Sequence, residues 1–468
     1  MKLYNTLSRK IEDVEPLAPP KVGIYTCGPT VYDYPHVGNW FTFIREDILV
    51  RTLKLSGFQP DWVMNITDVG HLVSDADEGE DKLEKGARRE GKTAWDIAKV
   101  YTDYFVDGMQ RLGMLVPDHL PKATDHIAEQ IELIQKLEEK GFTYKTSDGI
   151  YYDTARFPRY ADFARLDIDE QQAGKRVEFN PEKRNATDFA LWKFSPADRR
   201  RDMEWDSPWG EGFPGWHIEC SAMSMKYLGA TLDIHAGGID HLPVHHTNEI
   251  AQSEAATGQQ FARHWMHSNH ITIEGEKVSK SLGNGITLED IEAKGISLEA
   301  FRLHVLESHY RSQSKFSWES LRAAQNRLND IYAWADLRHQ ASTDAMSAEL
   351  DRRFKTMREE VLAALQDDLN TPVALAALSS LMNYMADIPI PGVEGEHTGG
   401  TLDFLEEALG LPLGSRPDIT DGQKALIAER DKARQAQDWT RSDQLRDELA
   451  AHGLGVRDKP FGAQWYRL

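Results

Sequence analysis

Lys21-Val22-Gly23-Ile24-Tyr25-Thr26, then the loop Cys27-Gly28-Pro29-Thr30, then His36-Val37-Gly38-Asn39 opening a run to Leu55, then Trp62-Val63-Met64-Asn65-Ile66: the alternation of apolar runs and breakers here sets the architecture. The first run is short and apolar, as a buried strand is. Gly28 and Pro29 break it. A helix is predicted from about His36 through Phe41 to Leu55, where Ser56-Gly57 supplies the stop. Trp62 to Ile66 reads as a second strand. Strand, helix, strand at this spacing is a βαβ unit. It implies a parallel sheet with its ligand site at the C-terminal edge of the strands.

Outward from that unit, the acidic stretch Ser74 to Glu84 reads as a solvated loop. Residues 124–140 carry Ile127, Ile131, Ile134 and Leu137 at helical spacing, and Phe142 to Tyr152 resembles a hairpin around Ser147-Asp148-Gly149. The chain to about residue 200 looks inserted. Sheet patterning resumes near Pro214 and includes Thr231-Leu232-Asp233-Ile234-His235. Beyond about residue 315 helices dominate, as in Leu321 to Trp334 and Leu350 to Leu365. Residues 388–400 read as a loop, and 421–468 as a small final unit.

The chain has 468 residues, a formal charge of −21, 40% hydrophobic and 9% aromatic residues. Such a composition excludes a largely disordered or collagen-like chain and suits about three domains. No apolar run nears the ~18 residues of a membrane span, and Met1-Lys2-Leu3-Tyr4-Asn5 lacks a secretory apolar region. Two cysteines exclude a disulfide framework. The expectation is a cytoplasmic enzyme without membrane attachment. The acidity argues against wholesale coating of nucleic acid. Residues 421–468, however, hold 9 Lys and Arg against 8 Asp and Glu, so a confined nucleic-acid site stays open there.

Both cysteines sit in informative places. Cys27 follows the first strand; Cys220 lies in Gly215-Trp216-His217-Ile218-Glu219-Cys220-Ser221, and His245-His246-Thr247-Asn248-Glu249 follows. His245 and Glu249 are four apart and share a face on a helix. Two thiolates, an imidazole and a carboxylate make a sound zinc set. Two buried cysteines and a satisfied core histidine would read the same way. His36-Val37-Gly38-Asn39 sits at a helix start, where unpaired N–H groups suit phosphate. Lys277-Val278-Ser279-Lys280-Ser281, flanked by glycines, places two lysines where they could clamp a leaving pyrophosphate, or merely forms an exposed loop.

Together, the HxGN and KVSKS stretches resemble the HIGH and KMSKS signatures of class I aminoacyl-tRNA synthetases. With Cys27, GWHIECS, HxGGxD (His235 to Asp240) and HHxNE, the chain resembles the cysteinyl-tRNA synthetase family from about residue 2 to its end. Asn65-Ile66-Thr67-Asp68, Asp188 to Lys193, Ser308 to Ser312 and Asp367 to Pro372 also resemble family segments. Two positions depart from the signatures, Asn39 in place of His and Val278 in place of Met. Asn keeps a donor and Val an apolar anchor.

The resemblance implies an α/β fold: a Rossmann-like parallel-sheet catalytic domain with an inserted connective domain, an α-helical bundle, and a small C-terminal mixed α/β domain. The implied bounds are 1–122 and 201–262 for the two catalytic halves, 123–200 for the insert, 263–314 for a stem-contact region with the KVSKS loop, 315–420 for the tRNA-binding bundle and 421–468 for the anticodon reader. It assigns one Zn2+ to Cys27, Cys220, His245 and Glu249. It gives His36, Gly38, Asn39, Lys277 and Lys280 to ATP, with Mg2+ accompanying the nucleotide, and Thr67, Trp216, His235 and Asp240 to the cysteine and adenylate pocket. Arg434, Asp443, Asp458 and Trp465 match tail positions that would meet tRNA(Cys). Thr67 could equally be strand packing, Trp216 core, and Arg434 and Asp443 ordinary surface charge. The implied enzyme is a monomer that joins L-cysteine to tRNA through cysteinyl adenylate. A cysteine ligase of mycothiol synthesis shares the zinc site but lacks an anticodon-reading end. A catalytically silent zinc and RNA-binding paralogue would not need the lysines, and a zinc hydrolase would show HExxH, which is absent.

Overall fold

The strand at Lys21–Thr26 is the centre of a parallel sheet in the computed structural model of the chain, which describes residues 1–70, 82–166, 181–196, 200–273, 276–277, 285–340, 347–386, 388, 396–459 and 462–468. Val22, Ile24 and Tyr25 are fully buried, as expected for a strand covered on both faces. The sheet order is Ala262–Ser268, Leu232–Gly238, Lys21–Thr26, Gln59–Met64. All three neighbouring pairs are parallel, with Tyr25 opposite both Val63 and His235. The chain therefore leaves the first strand towards one edge and returns on its other side. Open α/β sheets bind their ligands at such a reversal, at the strand ends where Cys27 and Gly238 lie.

The crossover helix spans Val37–Leu55, and His36 caps it. The His36 ring accepts from the Asn39 N–H, and the Asn39 side chain accepts from the His36 N–H, a reciprocal cap. Fourteen of its nineteen residues are buried, Arg45, Glu46, Asp47 and Arg51 among them, so it is a core helix rather than a surface one. Trp40 stacks on Phe105 of the helix Ala94–Arg111 at 5.4 Å.

Four antiparallel strands, Thr143–Lys145, Gly149–Tyr152, Phe189–Phe194 and Gly212–Pro214, form the inserted sheet. That sheet runs on to Pro214, past the residue 200 at which the insert was expected to end. Gly212 to Pro214 pairs with Trp192 to Phe194, a long-range register that no local pattern records. The helix Trp216–Leu228 follows that last strand.

The chain divides into two compact units, Met1–Asp290 with Tyr310–Lys315, and Ile291–His309 with Phe316–Leu468. The expected 263–314 region is therefore split between them. The second unit carries the helices Trp318–Ala335, Ala348–Gln366, Thr371–Met385 and Glu396–Leu409, then Asp421–Gln435 and Trp439–Ala451, and a hairpin of Leu454–Lys459 with Gly462–Arg467. Residues 396–400, expected as loop, begin a helix, and so do 82–84 within the expected acidic loop. The remainder of both stretches lies mostly outside the described residues. Among the described residues, no helix is long and apolar enough to cross a membrane.

Candidate metal centre and its surroundings

Cys27 is the first residue after the central strand, and its N–H is held by the Ala236 carbonyl at 3.1 Å. Gly28 follows because nothing larger fits: a Cβ there would lie 1.8 Å from the Asn65 carbonyl oxygen. Cys220 sits early in the helix Trp216–Leu228. His245 belongs to a π-helical turn, Leu242–His246, that feeds the helix Thr247–Thr257 carrying Glu249. Such turns recur at functional sites because they re-aim a side chain. Ligand atoms of Cys27, Cys220, His245 and Glu249 all lie within 4.8 Å of one another, and all four residues are buried.

The electrostatics follow from packing these groups together. Burial pushes the Cys27 thiol up. A hydrogen bond with that thiol draws Cys220 down to about 7 against its burial, and the His245 ring adds to the effect. Burial opposes ionisation of Glu249, but His235 and His245 hold its carboxyl well below the ordinary range. Burial also opposes charge on His245, yet Glu249 and Cys220 raise it to about 10. The Oε1 atom of Glu249 lies 2.6 Å from His245 Nε2, an ion pair that holds the two side chains together. Both belong to the set whose ligand atoms lie within 4.8 Å of one another, close enough to share one ion. Two thiols, an imidazole and a carboxylate, all buried, are a donor set that fits zinc, which would displace the thiol protons and the His245 proton.

A second overlapping set, Cys27, His235, His246 and Glu249, is equally close. His246 Nε2 is 3.3 Å from Cys27 Sγ, and its Nδ1 is 2.8 Å from His267 Nε2. The first set has two thiols and is the softer, so it suits a thiophilic ion better. His246, His267 and His217 were not singled out in the sequence. His217 Nδ1 lies 3.0 Å from His245 Nδ1. Burial keeps His246 well below its usual pKa and brings His267 to about 3. The only sequence signal for them is the density of histidine near Cys220 and Glu249; the contacts themselves are tertiary.

The pocket candidates divide. The Trp216 ring lies 4.8 Å from that of His245, so it borders the cluster. Thr67 is 2% exposed and accepts from Asn65 Nδ2 at 3.0 Å, which places it in the loop packing behind Gly28. His235 is buried, stacks on Trp265 at 4.5 Å and lies 2.5 Å from Glu249 Oε2. It stands behind the carboxylate rather than in front of it. Asp240 is half exposed and lies 3.2 Å from His270 Nε2. His36 and Asn39 cap each other at the helix start, and Gly38 packs so that a Cβ would meet the His36 ring at 2.9 Å. Lys277 pairs through its backbone with Thr272, while Lys280 lies outside the described residues.

In the tail, Asp458 binds Arg430 at 2.8 Å and Arg434 at 3.1 Å, and Asp443 lies 3.1 Å from Arg446. Trp465, expected to meet tRNA, is 5% exposed and packs with Ile419, Leu449 and Leu454. The alternating pattern of a two-stranded hairpin puts that indole on its covered face. The exposed indole is Trp439, 56% accessible and 5.5 Å from the Arg434 guanidinium.

The family model described as tRNA synthetases class I (C) catalytic domain matches residues 13–326, and that described as Cysteinyl-tRNA ligase anticodon binding domain matches 416–467. With its parallel sheet and reversed strand order, the chain is a class I aminoacyl-tRNA synthetase. A Cysteine--tRNA ligase 1 of Burkholderia lata is 47% identical, covering 100% of this chain and 97% of its own length. The Cysteine--tRNA ligase of Thermus thermophilus is 41% identical, covering 99% and 98%. The chain belongs to the cysteinyl-tRNA synthetase family. A solved Mycobacterium tuberculosis methionyl-tRNA synthetase in complex with methionyl-adenylate shares the fold, with a TM-score of 0.62 at 14% identity over 84% of this chain and 92% of that one.

Proposed function

We propose that this chain joins L-cysteine to the 3′ end of tRNA(Cys) in two steps through cysteinyl adenylate, with Cys27, Cys220, His245 and Glu249 holding zinc that recognises the substrate thiolate. The observation that carries the reading is the convergence of those four side chains, from four separate elements, at the sheet's reversal point. Bound zinc supplies thiophilic Lewis acidity, which favours a thiolate over the harder hydroxyl of serine. Shape alone separates such near-isosteres by only a few kcal/mol. His235 and His217 orient the Glu249 carboxylate and the His245 ring from behind. Trp216 excludes water over the pocket, and Thr67 fixes the loop that carries Cys27.

The cysteine carboxylate attacks the α-phosphorus of Mg2+-bound ATP, forming the mixed anhydride and releasing pyrophosphate. His36, Gly38 and Asn39 at the helix start, with Lys277 and Lys280, bind the phosphates and stabilise the charge that develops. A terminal ribose hydroxyl of tRNA then attacks the adenylate carbonyl, and AMP leaves. Arg434, Asp443, Asp458 and exposed Trp439 contact anticodon bases through their edges and faces. The anticodon-type match over 416–467 weighs against an amino-sugar acceptor.

The deciding experiment charges purified tRNA with cysteine or serine and measures metal on the same sample. Cysteine charging at one zinc per chain with serine rejected is expected. Equal use of both amino acids, or full discrimination by metal-free protein, removes the reading.

A further inference from the structure

Arg45 lies on the crossover helix, 4% exposed. Its Nη1 donates to Ser268 Oγ at 2.8 Å and to the Asn269 carbonyl at 3.1 Å, and its Nη2 donates to Ser314 Oγ at 2.7 Å. These partners come from two chain segments, the end of the sheet strand Ala262–Ser268 and the returning stretch Tyr310–Lys315. Other bonds close the same joint. The Asn269 N–H donates to the Tyr310 carbonyl at 2.8 Å, its side chain to the Arg311 carbonyl at 2.9 Å, and the Ser314 N–H to the His270 carbonyl at 3.0 Å.

From this joint springs a hairpin stem, Ile271–Ile273 paired with Glu276–Lys277. The same helix touches the base of that stem again at its first turn. The Val37 N–H donates to the Ile286 carbonyl at 2.8 Å, and a Cβ on Gly38 would lie 3.3 Å from Ile271 Cγ2. Two attachments about two turns apart, roughly 12 Å along the axis, fix both the place and the direction of what they hold. The strand Ser314–Phe316 pairs with Ile271–Ile273 and braces the stem from the side of the Arg45 joint.

We infer that Arg45 is a positioning residue for adenylate formation: it holds the stem carrying Lys277 at a set place beside the His36 end of its own helix. The inference rests on the functional reading above, which gives Lys277 to ATP. A guanidinium can serve Ser268 and Ser314 at once because its donors form a planar fork; an ammonium is a point charge and cannot span both. Burial lowers the Arg45 pKa to about 9, so it stays charged at neutral pH. Burying a charge is unfavourable by several kcal/mol, and apolar residues of similar volume often serve stability as well. A forked cation here therefore fixes geometry rather than adding stability.

The test uses Arg45→Lys and the double variant Ser268→Ala with Ser314→Ala, in the full chain with zinc content measured. Cysteine-dependent ATP–pyrophosphate exchange is read per active site, counted by the adenylate burst. Displacing a reacting group by about 1 Å can cost about a hundredfold in rate, so a loss of at least about tenfold per site is expected in both variants. The KM for cysteine and the zinc content should stay within about twofold of wild type. If Arg45→Lys fails to fold, the serine pair decides. An unchanged per-site rate, or a KM for cysteine that rises in step with the rate loss, overturns the inference. A wild-type chain without cysteine-dependent exchange would instead overturn the functional reading, a result visible before any variant is made.

Discussion

Replacing Asp336 by Asn probes the seam that fastens the final hairpin within the second unit. Asp336 is fully buried and takes a paired grip from Arg416, Nε to Oδ1 and Nη2 to Oδ2, both at 2.8 Å. Arg467, on the last strand, reaches Oδ2 at 3.3 Å. Four residues on, Gln340 binds the main chain of Trp465 in both directions, at 2.8 and 2.9 Å. Asn has nearly the same shape but one NH2 where a carboxylate oxygen stood. That NH2 faces a guanidinium donor, so one Arg416 bond becomes a donor–donor contact and the other loses its charge. The Arg416 side chain is 13% exposed and cannot recover water freely. Breaking such a buried pair costs about 3–5 kcal/mol. The Arg467 contact adds well under about 1 kcal/mol, because its side chain is 37% exposed. The expected loss is therefore about 3 kcal/mol, or roughly a hundredfold in the equilibrium that frees the Arg416 segment and the hairpin together from Asp336. Native-state hydrogen exchange at the Leu454–Arg467 amides reads it directly. On the functional reading, KM for tRNA rises while pyrophosphate exchange holds. Protection loss below about 1 kcal/mol, or an exchange rate that falls with charging, would refute the reasoning.

His245→Ala should take metal below one per chain and bring cysteine and serine rates together; elemental analysis and parallel charging assays check it, and retained zinc with retained discrimination sinks the site assignment. Glu46 is 1% exposed, and burial lifts its carboxyl well above the ordinary 4.5, so above that pH the native chain holds a proton the unfolded chain has released and stability falls as pH rises. Glu46→Gln removes that term: its advantage over wild type in urea midpoints should widen from pH 5 to 7 by up to about 1.4 kcal/mol per unit, and parallel curves would contradict the sign. Trp439→Ala should raise the KM for tRNA about tenfold, as loss of one stacked base implies, with an unchanged thermal midpoint. Trp465→Ala should do the reverse in kind, losing about 3–5 kcal/mol of stability; a stable Trp465→Ala chain with a selective tRNA defect would exchange the two roles.

The elements read most directly from sequence are those whose cause is local. The strand Lys21–Thr26 and the helix Val37–Leu55 follow from an apolar run, a loop-breaking Gly-Pro, and a capping pair at His36 and Asn39, all within a few residues of each other. The identities of the four metal-site candidates were equally legible, because their chemistry is carried by side-chain type and by the four-residue spacing of His245 and Glu249. Distance in the chain hid the rest. Gly212 to Pro214 joined the inserted sheet through pairing with a strand some twenty residues earlier. Trp465 matches a tail position expected to meet tRNA and is core, while Trp439, just as visible in the sequence, is the exposed ring of the tail. His217, His246 and His267 became part of the cluster only because the sheet order folds their segments onto Cys27.

Side-chain identity along the chain sets which chemistry it can hold, since thiols, imidazoles, carboxylates and capping groups act over a few bonds or one helical turn. Which of them meet, which face water and which merely support a neighbour was settled by folding. Those outcomes depend on long-range strand order and on burial, and neither is encoded in any short window of residues.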